Sequence, residues 1–81
     1  AIYRALQIRR TLQRVGIPKL TKRETEVLQL AAAGLQERLI AERLGISDHA
    51  VDKYMRSCRD KLGSRNTNQA IASALRAGLI S

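Results

Sequence analysis

Tryptophan and phenylalanine are absent from this chain of 81 residues, and proline, methionine and cysteine occur once each. A single cysteine, Cys58, closes no internal disulfide, which suits a reducing compartment and makes a cytoplasmic protein the expectation. Long apolar runs are missing as well. The stretch "LAAAGL", Leu30 to Leu35, falls far short of the roughly 20 residues that a membrane span needs, so nothing is expected to cross a bilayer. No apolar segment with a cleavage site opens the chain, so export is not supported, and a start at Ala1 in place of Met reads as excision from a longer protein. No window alternates at period two, which excludes any predicted strand, and there is no internal repeat, low-complexity tract or metal-ligand spacing. Acidic residues are the last scarcity. Seven Asp and Glu against fifteen Lys and Arg leave a net charge of +8, a field that attracts phosphate-rich partners, nucleic acid or anionic lipid.

What remains is helical and amounts to one domain, long enough to bury roughly 60–65% of its unfolded surface in a modest core. Ala5, Ile8, Leu12 and Val15 recur at spacings of three and four, one stripe of an amphipathic helix, and Gly16 and Pro18 end it in a hinge or linker. In "LTKRE", Thr21 and Glu24 have the spacing of a capping box, so a helix is predicted from about Lys22 to Ala33, closed by Gly34. A short segment without a good N-cap follows, about Gln36 to Leu44, ended by Gly45. Ser47 then caps a helix from Asp48 to about Leu62 in which Val51, Met55, Cys58 and Leu62 face inward, leaving Lys53 and Arg56 outward. After Gly63, Asn66 starts a last helix lined by Ala70, Ile71, Ala74 and Leu75.

A short helix, a turn containing Gly and a longer helix with a basic outer face form a helix-turn-helix, whose second helix is presented to a major groove about 12 Å wide. Ala41 is small where the helices approach, Gly45 takes the tight turn, and Ile46 with Val51 plug the corner. An ordinary helical hairpin in a small bundle is the bland alternative.

"LTKRETEVLQLAAAG", "IAERLGIS", "KLGSRN" and "QAIASALRAGLI", in this order, resemble the LuxR/GerE-type DNA-binding domain of bacterial transcription regulators, over about Leu20 to Ile80. The resemblance implies an all-α fold, a four-helix helix-turn-helix domain over residues 20–81 with its third helix as reader. Residues 1–19 are expected to form an additional N-terminal amphipathic helix and linker. It also implies sequence-specific binding of double-stranded DNA at a two-fold-related site by a homodimer, with an N-terminal sensor domain lying outside this chain. "AVDKY" and "SALRAGLI" lean toward the quorum-sensing branch, hence toward a small-molecule sensor. No cofactor, metal or membrane partner is expected.

By position, Lys53 and Arg56 match base-contacting places of that family, and Asp52 a third, usually Lys there. Arg suits guanine O6 and N7 with two parallel bonds. Asp52 lies one turn before Arg56 on the same face and is expected to orient its guanidinium; acceptance from cytosine N4 or plain repulsion of phosphate are the rivals. Backbone contacts are expected from Lys22, Arg23, Ser47 and Tyr54, self-association from Leu75, Leu79 and Ile80. Ala50 and Thr67 depart from the family's Thr and Arg, and Tyr54 from its His. Leu39, where an acid is common, is either an inconsequential exposed residue or a docking point for the N-terminal helix. The unadorned reading of Lys53, Arg56, Lys22 and Arg23 is solvated surface. His49 has no nucleophile beside it, Cys58 belongs to the core stripe, and Glu24 is occupied in its cap, so no catalytic residue and no enzymatic activity are expected. Two alternatives stay open: an interaction module with weakened DNA binding, and a sigma-factor-like promoter-reading domain, against which "KLGSRN" argues. A basic segment lying on anionic membrane would rest on residues 1–15 alone and lacks Trp and Phe.

Overall fold

The computed structural model describes residues 19–81, so the helix expected over Ala1 to Val15 lies outside the described residues. Within them the chain forms four helices: α1 (Lys22–Ala32), α2 (Glu37–Leu44), α3 (Asp48–Leu62) and α4 (Thr67–Arg76). The predicted bounds hold to within a residue or so at each end. At α1 the reciprocal cap is formed, with Glu24 N–H donating to Thr21 Oγ1 at 3.2 Å and Thr21 N–H to Glu24 Oε1 at 2.7 Å. Ala33, expected inside α1, stands just past its end as the cap residue. Gln36 makes no side-chain cap at α2, as its poor capping chemistry led us to expect, whereas Ser47 and Asn66 cap α3 and α4 through the N–H groups of Ala50 and Gln69.

α3 is the central element and packs against α1, α2 and α4; α1 also touches α2 and α4. Its inward stripe, Val51, Met55 and Cys58, is fully buried, against Val27 and Leu28 of α1, Ile40 and Ala41 of α2, and Ala70 and Ala74 of α4. Without Trp or Phe this core is aliphatic, and each large side chain in it contributes on the order of 1.5–3 kcal/mol by burial. Small residues are part of this core: Ala41 is 4% exposed, Ala70 and Ala74 are fully buried.

The corner between α2 and α3 depends on Gly45, which adopts φ 67°, ψ 35°, the left-handed region that a Cβ disfavours. Gly45 N–H then returns to the Glu42 carbonyl at 3.3 Å and Ile46 N–H to the Ala41 carbonyl at 3.0 Å, satisfying the end of α2 before Ser47 opens α3. Ile46 packs on the core beside buried Val51. The corner is therefore held by backbone bonds on one side and an apolar plug on the other.

Candidate nucleic-acid interface

α3 has fastened flanks and an open face. Toward its C-terminal end it is fastened from both sides: Ser57 Oγ donates to Glu24 Oε2, Lys61 Nζ meets Glu24 Oε1 at 2.7 Å and also donates to the Lys19 carbonyl at 3.2 Å, and Arg59 Nη1 reaches Thr67 Oγ1 at 3.4 Å. Glu24 is 3% exposed. Burial alone would raise its pKa, but the Lys61 ammonium, the Ser57 hydroxyl and both Thr21 groups outweigh that and hold the carboxyl down at about 2. The same burial, with the Glu24 charge behind it, pushes the Cys58 thiol up to about 11, against weaker pulls from Lys61 and Arg59. Cys58 is thus a core residue with an unreactive thiol, its Sγ 3.6 Å from the Glu24 carbonyl.

The face of α3 opposite its core stripe is open to solvent from the N-terminal end to just past the middle. His49, Lys53 and Arg56 are exposed on the side opposite Val51 and Met55, and Asp52 is half-buried beside them. Arg56 Nε stands 3.1 Å from Asp52 Oδ2. Lys53 forms no ion pair among the described residues. A helix surface of this kind, braced by α2 across a fixed corner, is what a major groove receives.

The expected backbone group is spread around this face. Lys22 is exposed at the start of α1 and Arg23 is half-buried there, paired with Glu26 at 3.0 Å. Their end of α1 is the one that Glu24 ties to the C-terminal half of α3, so they flank the reader face and do not share it. Ser47 is exposed; its oxygen accepts from Ala50 N–H at 3.0 Å, which leaves the hydroxyl proton available to a phosphate. Tyr54 is half-buried and packs on the core, so only part of its ring is offered outward.

The three residues assigned to self-association separate. Leu75 is 47% exposed, Leu79 is half-buried against the core, and Ile80 is 6% exposed within the domain's own core. Ile80 is withdrawn from that surface because the chain after Gly78 turns back: Leu79 N–H bonds the Ala74 carbonyl at 2.9 Å, and Gln29 clamps the Ser81 backbone, accepting from its N–H at 3.1 Å. Leu39 is 51% exposed and lines a shallow concavity with Leu35, Glu42 and Arg43. No group of three or more His, Cys, Asp or Glu among the described residues has the arrangement of a metal site, and no described helix is long and apolar enough to cross a membrane.

Reading the sequence missed Ser57 and Lys61 as the residues that fix the pose of α3. The available signal was their i,i+4 spacing on one flank of the helix, next to the inward stripe.

The family model described as "Bacterial regulatory proteins, luxR family" matches residues 18–74. Spore germination protein GerE of Bacillus subtilis is 38% identical over 61 residues, covering 75% of this chain and 82% of that protein. Transcriptional regulatory protein YdfI of the same organism is 31% identical over 75 residues, 93% of this chain but 35% of YdfI, so the chain spans about a third of that curated relative's length. Among solved structures, the VqmA dimer of Vibrio cholerae, described as a LuxR-type receptor, superposes with a TM-score of 0.76 at 37% identity over 84% of this chain and 31% of that one.

Proposed function

The chain belongs to the luxR family of bacterial regulatory proteins, a helix-turn-helix DNA-binding domain of a transcription regulator, and on that premise we propose how it meets DNA. The exposed face of α3, from its N-terminal end to Arg56, enters the major groove, with Lys53 and Arg56 against base edges. Lys22, Arg23, Ser47 and the Tyr54 hydroxyl meet phosphates around it and set the register without carrying sequence information. The observation that carries this reading is the asymmetry of α3: its flanks toward the C-terminal end are tied down through Glu24 and Thr67, while the face opposite its core stripe presents Lys53 and Arg56 to solvent.

The active form is a homodimer on a two-fold-related site, joined through the exposed Leu75 with Leu79 at its edge. Residues 20–81 are the DNA-binding unit and residues 1–19 its link to an N-terminal sensor domain. The relatives support a separate sensor, since the chain covers 35% of YdfI and 31% of the VqmA chain. A small-molecule sensor of the quorum-sensing kind is the reading we favour, in a regulator working in the cytoplasm.

Retardation of duplex DNA over a salt series tests the interface. The wild-type chain should lose affinity steeply with salt. Lys22→Ala should weaken all sequences about equally and flatten the slope by roughly one unit, while Arg56→Ala should cost about 1–3 kcal/mol on a selected site and relax one base pair per half-site. Equal losses for Arg56→Ala on selected and random DNA would show that Arg56 holds backbone only. Weak or absent retardation at every salt concentration would favour a protein-interaction module.

A further inference from the structure

Three ion pairs lie within helices among the described residues, and Asp52–Arg56 differs from the other two. Arg23–Glu26 and Arg38–Glu42 place the base before the acid, whereas Asp52 precedes Arg56 by four residues, the order that the helix favours. Arg38–Glu42 is also loose, 3.8 Å apart with side chains 82% and 64% exposed, whereas Asp52–Arg56 at 3.1 Å is about as close as Arg23–Glu26 at 3.0 Å, with the Asp52 side chain 35% exposed. The acid is the less exposed partner, and the base, with its side chain 70% exposed, is the one that projects.

The closest approach is at Nε, at the inner end of the guanidinium, as an ion pair without an aligned hydrogen bond. Nη1 and Nη2, at the outer end, have no partner among the described residues. Guanine presents O6 and N7 to the two outer nitrogens, and a carboxylate 3.1 Å from Nε biases the Arg56 side chain toward one side of the helix before DNA arrives. Less side-chain freedom is then lost on binding. The carboxylate has a second effect. It offsets the guanidinium's charge, so the pull of Arg56 toward any nearby phosphate is reduced, while its outer hydrogen-bond donors remain available to a neutral base edge.

We propose that Asp52 is a positioning residue for DNA recognition: it touches no base, and it confers guanine selectivity by aiming the Arg56 guanidinium and lowering that residue's attraction to phosphate. The proposal rests on the reading above in which Arg56 meets a base edge. Nothing in it requires Asp52 to stabilise the fold, and neither residue belongs to the buried core stripe of α3.

The test is selection from a randomised duplex DNA library by the full chain, comparing wild type with Asp52→Ala, Asp52→Glu, Arg56→Ala and the double variant, with thermal melts to confirm that all fold. Wild type should select a guanine that Arg56→Ala no longer selects. Asp52→Ala should lower preference for that same guanine by about five- to tenfold, raise affinity for unselected DNA, and add no further loss of preference in the double variant. Asp52→Glu, which keeps the charge at this spacing, should recover part of the preference. Loss of preference at a different base pair in Asp52→Ala would show direct reading of cytosine and overturn the proposal. Uniformly tighter binding with the guanine preference intact would show mere repulsion and overturn it equally. In either case Arg56→Ala would still erase the guanine, leaving the base-reading assignment standing. If Arg56→Ala leaves the selected sequence unchanged, that assignment falls and the proposal falls with it.

Discussion

Glu24 carries more of the fold than any other single polar residue. It caps α1, fastens α3 through Ser57 and Lys61, and is ionised while almost fully buried. Its pKa of about 2 lies below the ordinary 4.5, so the folded state binds fewer protons than the unfolded state between those values. Its contribution is complete above about pH 4.5 and is lost as pH falls toward 2. Glu24→Gln should therefore lower stability near neutral pH by on the order of 2 kcal/mol and remove part of the acid sensitivity. Denaturant midpoints for both proteins across that pH range measure this; parallel curves would show that the Glu24 charge is not coupled to folding.

For the elements, the α2–α3 corner separates backbone strain from side-chain packing. Gly45 is at φ 67° and a Cβ built there meets nothing within 4 Å. Gly45→Ala should cost about 1–2 kcal/mol through the backbone alone and leave DNA affinity nearly unchanged in the folded protein. Ala41 is the opposite case, buried at the helix contact. Ala41→Leu should cost roughly 1–3 kcal/mol by overpacking and also weaken DNA binding, because the reader helix must shift. Paired urea titrations and retardation assays distinguish the two; an Ala41→Leu variant with full DNA affinity would mean that the corner does not set the pose of α3.

Across the whole molecule, positive charge is unevenly distributed. All seven acidic residues and ten of the fifteen basic residues lie beyond Lys19, so residues 20–81 carry +3 of the net +8, and the remaining +5 lies in residues 1–19. The four-helix domain therefore attracts DNA only weakly by its own field, and the preceding residues supply most of the long-range pull. Replacing Arg9 and Arg10 together by Gln should reduce the salt dependence of DNA binding by up to about two units without changing the selected sequence. An unchanged slope would place that charge away from the duplex. Self-association divides along the same lines as exposure. Leu75→Glu should weaken dimerisation measured by sedimentation and leave the thermal melt intact, whereas Ile80→Glu should lower the melt, since Ile80 is buried in the core.

The four described helices were legible because their signals are local. Thr21 and Glu24, Ser47, Asn66, Gly45 and Gly63 act within a few residues of themselves, and the stripe Val51, Met55, Cys58 follows from helical pitch whatever surrounds it. The Asp52–Arg56 contact was legible for the same reason, since four residues on one helix are neighbours by geometry. Contacts between distant residues were not. Glu24 lies 33 residues from Ser57 and 37 from Lys61, and Gln29 lies 52 from Ser81; only the packing of α1 on α3 and the return of the chain after Gly78 bring them together. Leu75 and Ile80 illustrate the boundary between the two. Both read as surplus apolar residues near the end of the chain, but Leu75 stays exposed on α4 while that return seats Ile80 in the core. Sequence determined where the chain coils and which stripe each helix hides, because those depend on a turn or two of backbone. Tertiary structure decided which exposed residues remain for a partner, because that depends on what the rest of the chain covers.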